Sequence, residues 1–256
     1  MSIMQDVILI LLIPFAGSVL GALTVFFIKG SFSHSTEALL SGFSAGVMVA
    51  ASVFSLLIPA IESSSAYGFF AAIPALVGLF IGFLLLLLTD VLTDRLFQKG
   101  ESEAGQKRVF LLTLAVTVHN LPEGMAVGVA LAGVLAGNSG MTLAAVFALA
   151  MGVAIQNIPE GSIISLPLAA GGMKKPKAFW AGVLSGAVEP IGAAFTLLAA
   201  GLVVPILPYL LGFAAGAMLS VVVTELVPAT AEKRGTGTLA FAAGFAVMTF
   251  LDVALG

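Results

Sequence analysis

His119-Asn120-Leu121-Pro122-Glu123-Gly124 decides how this chain is read, and Gln156-Asn157-Ile158-Pro159-Glu160-Gly161 repeats its pattern. Both stretches lie deep inside long apolar runs. An ionisable residue at such depth is costly and persists only when paired, hydrated or bound to an ion. The first expectation is therefore a site inside a membrane.

Composition supports that setting. Of 256 residues, 60% are hydrophobic and 9% charged, against roughly 25% charged in a soluble domain. With no cysteine, disulfides and thiolate ligands are excluded. The first apolar run has no basic segment ahead of it and no clear small-residue cleavage site, so it is read as a retained span.

About 20 apolar residues cross the hydrocarbon, and on that measure eight spans are expected, near 7–28, 36–59, 69–93, 109–134, 142–168, 178–203, 206–228 and 237–255. Runs of this length exceed a barrel strand and lack its alternation, so each is a helix. The expected fold is an all-α integral membrane protein made of one transmembrane domain. All ten basic residues (Lys29, Arg95, Lys99, Lys107, Arg108, Lys174, Lys175, Lys177, Lys233 and Arg234) follow odd-numbered spans. They therefore share one side, the cytoplasm by the positive-inside rule, and both termini face outward. The connector from about Leu96 to Lys107 mixes Glu101 and Glu103 with Gly and Lys and reads as a mobile cytoplasmic loop.

Three spans recur in order. Phe15-Ala16-Gly17 with Gly21-Ala22 returns as Trp180-Ala181-Gly182 with Gly186-Ala187, and Gly42-Phe43 through Gly46-Val47-Met48 returns as Gly212-Phe213 through Gly216-Ala217-Met218. Pro59-Ala60 recurs as Pro228-Ala229 after a one-residue slip, and Gly82-Phe83 with Asp90-Val91 returns as Gly244-Phe245 with Asp252-Val253. Small residues recur by chance in any membrane helix. Three matches in one order, on spans that cross in opposite directions, instead point to an inverted repeat of helices 1–3 and 6–8 flanking a central helix 4–5 pair, as in several transporter folds.

The central pair carries the chemistry. Helical positions four apart share a face, so His119 points with Glu123 and Gln156 with Glu160, while Asn120 and Asn157 lie three residues before the same glutamates. Each glutamate is placed to serve two neighbouring coordination positions, which admits one ion or two. Pro122 and Pro159 withhold a hydrogen bond from the Val118 and Ile155 carbonyls, so kinks are expected there. Glu189, followed by Pro190, reaches the same depth on the sixth span, near the middle of a ~30 Å core. Unpaired carboxylates at one level repel, and a divalent cation offsets their charge. Nitrogen and oxygen donors without sulfur suit Zn²⁺, with Fe²⁺, Mn²⁺ and Cd²⁺ as alternatives.

Other polar residues read more plainly. Glu225, Asp90 and Asp252 lie near span ends, where snorkelling or capping is cheap. Met48, Ser55 and Met218 read as packing, and His34 and Glu62 as surface residues. For the central cluster the structural alternatives are a proton relay or helix pairing.

These motifs resemble the ZIP (Zrt/Irt-like) family of divalent metal transporters, especially its bacterial GufA-like branch, over nearly the whole chain. The resemblance implies one transport position formed by His119, Glu123, Gln156, Glu160 and Glu189. It implies a neighbouring one formed by Asn120, Glu123, Asn157, Glu160 and Glu189, with Met48 and Ser55 near the ion path. Many relatives carry a histidine-rich loop after the third span, which here has no histidine, and some carry an acidic residue where this chain has Asn157.

The expected function is transport of Zn²⁺ and related ions into the cytoplasm across a cell (inner) membrane, by alternating exposure of the site and without enzymatic activity. Expected partners are the ions and the lipid bilayer, with a homodimer left open and nucleic acid not among them. The rival is a membrane-embedded zinc-dependent hydrolase, in which bound zinc activates water near His119 and Glu160. It would need an open coordination position and a dedicated base, and His-Glu-x-x-His is absent. A sensor that binds metal without moving it is a third reading.

Overall fold

The computed structural model describes residues 3–28, 33–98, 106–137, 141–170, 172–231 and 234–255. Lys29, Lys99, Lys233 and most of the 96–107 connector lie outside the described residues, as do the side chains of Asp90, Arg95, Lys107, Arg108, His119 and Arg234.

Every element among the described residues is helical. This is the expected solution in hydrocarbon, where a helix satisfies its own backbone donors and acceptors. The helices are α1 (Ile3–Phe27), α2 (His34–Ala50), α3 (Ile58–Ser63), α4 (Ile73–Gln98), α5 (Gln106–Leu135), α6 (Leu143–Ala170), α7 (Lys175–Gly186), α8 (Val188–Leu198), α9 (Ala200–Val203), α10 (Leu207–Val221), α11 (Val227–Ala231) and α12 (Arg234–Leu255). Six continuous helical runs are long and apolar enough to cross a membrane: Met4–Phe27, His34–Ser63, Leu143–Ala170, Lys175–Leu198, Ala200–Ala231 and Gly235–Ala254. In α4 and α5 the described apolar stretches are shorter, Ile73–Thr89 and Asn120–Leu135.

Three irregularities have local causes. The segment 51–57 between α2 and α3 and the segment 222–226 between α10 and α11 are π-helical. Each ends just before a proline, Pro59 or Pro228, which cannot donate to the preceding turn. The ladder widens instead, with Ile58 N–H donating to the Val53 carbonyl and Val227 N–H to the Val222 carbonyl. The break between α7 and α8 at Ala187 similarly precedes Pro190. The third irregularity moves an expected boundary. Residues Ser65–Phe70 form a 3₁₀ stretch in which Gly68 has φ 56°, so the third helix starts at Ile73 rather than near 69. By contrast, α5 and α6 run through Pro122 and Pro159 without interruption.

Packing divides the helices into two sets. In the first, Gly17 and Gly21 of α1 lie against the Ala154 and Ile158 carbonyls of α6, and Gly124 and Gly128 of α5 against Glu189 and Ala193 of α8. In the second, Gly42 and Gly46 of α2 lie against Gly237 and Phe241 of α12, while Gly212 and Gly216 of α10 lie against Ala75 and Leu79 of α4. Backbones this close leave no room for a Cβ, which is how membrane helices gain van der Waals contact without a solvent-driven force. Between the sets the contacts are softer: Gly133 meets the Leu207 side chain and Gly152 meets the Met248 side chain.

Candidate metal site

The polar centre is assembled in the first set. Asn120 and Glu123 come from α5, Gln156, Asn157 and Glu160 from α6, and Glu189 from the first turn of α8. Gly124 determines how closely α5 approaches, because any side chain there would strike the backbone of Glu189. Gly186 plays the same part on α7: a Cβ would meet Ser18 and come within 3.1 Å of Glu189 Oε1. Asn120, Glu123, Gln156, Asn157 and Glu189 are all buried, and Glu160 is partly exposed.

The hydrogen bonds follow one rule: amide nitrogens are anchored and amide oxygens are not. Gln156 Nε2 donates to Glu123 Oε1 at 2.8 Å. Asn157 Nδ2 donates to Glu189 Oε2 at 2.8 Å and to the Pro14 carbonyl at 3.3 Å. Asn120 Nδ2 reaches Glu189 Oε1 at 3.3 Å and the Ser185 carbonyl at 3.2 Å. Asn120 Oδ1, Glu123 Oε2, Gln156 Oε1 and Asn157 Oδ1 are buried without a hydrogen-bond partner among the described residues. A buried unpaired acceptor costs about 1–3 kcal/mol, more when charged. Four such oxygens on two adjacent helices therefore call for an electropositive occupant.

Charge points the same way, since the carboxylates of Glu160 and Glu189 both act electrostatically on Glu123. Among the described residues no group of three His, Cys, Asp or Glu is arranged to hold a metal. The described donors are instead mixed carboxylates and amides. Such oxygens suit a divalent cation that must also leave, and an imidazole would shift the set toward zinc. The backbone of His119 lies in α5 directly before Asn120; its side chain is outside the described residues.

Ser18 was not legible as a site residue. It is buried on α1, and its hydroxyl donates to Glu189 Oε1 at 2.8 Å. The only sequence signal was a hydroxyl beside Gly17 in an otherwise apolar stretch. Glu225, read as a span-end residue, lies in the second π segment and acts electrostatically on Glu160. Met48 and Met218 are buried in the apolar core, and Ser55 donates to Asp252 Oδ1 at 2.7 Å.

Residues 98–252 match the family described as ZIP Zinc transporter. The chain belongs to the ZIP zinc transporter family. The matched segment contains all seven nominated residues, from His119 to Glu189. Zinc transporter ZIPB of Bordetella bronchiseptica is 38% identical over 94% of this chain and 79% of its own length. Zinc transporter GufA of Myxococcus xanthus is 36% identical over 93% and 94%, and Zinc transporter ZIP11 of Xenopus tropicalis 37% identical over 84% and 87%.

Proposed function

We propose that this zinc transporter carries Zn²⁺ into the cytoplasm through a midplane site formed by His119, Asn120, Glu123, Gln156, Asn157, Glu160 and Glu189. The observation that carries the reading is the set of four unpaired buried oxygens on α5 and α6, each borne by a side chain whose other polar atom is already held. Such a cradle needs little rearrangement to receive an ion. The carboxylates offset the ion's lost hydration, while the neutral amides keep affinity low enough for release. Fe²⁺, Mn²⁺ and Cd²⁺ present similar demands and are further candidate cargoes. With every nominated donor used as a ligand, none remains as the dedicated base of a hydrolase.

The scaffold in this reading is eight transmembrane helices with an inverted repeat. Supporting it, the glycine contacts exchange under the repeat: Gly82 meets the Phe213 carbonyl, and Gly244 meets the carbonyl of its counterpart Phe43. A π segment precedes both Pro59 and Pro228, and the first is two residues longer, in the interval that contains the one-residue slip. The basic residues orient the chain with both termini outside. Stiff glycine contacts within each set and flexible Leu207 and Met248 contacts between them favour movement of the site-bearing set against the other, which exposes the site alternately.

The test is zinc flux into sealed proteoliposomes containing only this protein. The expected result is saturable uptake that His119→Ala or Glu123→Ala abolishes; normal flux in both variants would end the proposal.

A further inference from the structure

We propose that the start of α7, together with the end of α1, binds an anionic phospholipid of the cytoplasmic leaflet. The leaflet rests on the orientation given above; the site itself rests on a surface remote from the buried glutamates.

Lys174, Lys177, Trp180 and Leu184 are spaced three, three and four residues apart, which places them on one face. All four are exposed, Trp180 at 57% and Leu184 at 63%. Over about 15 Å this face passes from two ammonium groups to an indole and then to an apolar side chain. A phospholipid presents the matching order: phosphate, interfacial glycerol, acyl chain. The indole level is reinforced by rings, Trp180 against Phe179 at 5.4 Å and Phe179 against Phe26 of α1 at 5.5 Å. Beside them Phe27 is 83% exposed. Aromatic tiers of this kind mark the headgroup boundary, so Lys174 and Lys177 stand at phosphate height.

The third lysine has a different task. Lys175 Nζ donates to the Phe26 carbonyl at 3.3 Å and ties α7 to the C-terminal end of α1, where carbonyls carry negative partial charge. No such bond holds Lys174 or Lys177 among the described residues. Two uncommitted cations above an aromatic and apolar stripe select a lipid rather than a free anion, and an anionic headgroup rather than a zwitterionic one. Both helices belong to the set that carries the buried glutamates, so a lipid held here ties that set to the leaflet.

Trp180 is the only tryptophan, so its fluorescence reports the site directly. The full-length protein would be reconstituted in phosphatidylcholine vesicles containing equal fractions of brominated phosphatidylglycerol or brominated phosphatidylcholine. The expected result is stronger quenching by phosphatidylglycerol, with a relative affinity of roughly five-fold per lysine, lost in a Lys174→Gln/Lys177→Gln double variant. Equal quenching by the two lipids, or a preference that survives the double variant, would overturn the site. Because the chain has no cysteine, Lys174→Cys can be labelled with an impermeant maleimide in intact cells. Labelling from outside would overturn the leaflet and the orientation behind it, whereas the quenching result bears on the site alone.

Discussion

The two helix sets use one packing device and differ in what they bury. In both, glycine brings backbone against backbone. The set of α1, α5, α6, α7 and α8 buries Asn120, Glu123, Gln156, Asn157 and Glu189, whereas the buried polar side chains of α2, α10 and their π segments are serines. A hydroxyl brings less to satisfy than a carboxylate or a primary amide, and here Ser44 donates to the Gln156 carbonyl at 3.4 Å and Ser55 to Asp252 Oδ1 at 2.7 Å. In the function proposed above, the buried carboxylates and amides make the first set the carrier of the site and leave the other as its frame.

The sharpest way to break this contrast is to remove a carboxylate. Glu123→Ala or Glu189→Ala should reduce zinc uptake to background while leaving a folded, membrane-inserted protein, as read by vesicle flux and thermal melting together. The frame should respond in the opposite sense. Gly46→Leu drives a side chain into the Phe241 carbonyl and the Phe245 amide, backbone atoms that cannot step aside. It should destabilise the protein by about 1–3 kcal/mol or more, lowering the melting temperature while the surviving folded fraction keeps its wild-type KM for zinc.

A finer test lies within the site-bearing set. Ser18→Ala removes one donor from Glu189 but leaves Asn120 and Asn157 in place. The expected change is a rise in KM of about ten-fold, from the usual strength of a hydrogen bond to a charged group. The maximal rate should change little, and Ser18→Cys should recover part of the affinity. The smallest effect is expected between the sets. Met248→Ala loosens the contact with Gly152 and should alter the maximal rate by about two- to five-fold at constant KM, since gating rather than binding is touched.

Much of this division was legible in the sequence, because its signals are local. The two Asn-x-Pro-Glu-Gly stretches identified the helices that would meet, and the depth of Glu189 placed it with them. The repeated glycines marked helices that would approach closely. What was not legible depends on partners far apart in the chain. Ser18 lies 171 positions from Glu189, and a lone hydroxyl in an apolar helix carries no sign of its partner. The π segments were hidden for another reason: Pro59 and Pro228 announce a disturbed ladder, but whether it kinks or widens is settled by packing. Glu225 looked like a residue free to snorkel until the π turn placed it where Glu160 senses its charge.

The most direct test of the account is the position of zinc itself. Crystals of transport-active protein grown with zinc, measured at the zinc absorption edge, should show an anomalous peak within about 2.0–2.2 Å of the Glu123 carboxylate and amide oxygens from Asn120, Gln156 or Asn157. A peak confined to Glu225 or Asp252, or none at saturating zinc, would contradict the claim that the unpaired oxygens of α5 and α6 form the transport site.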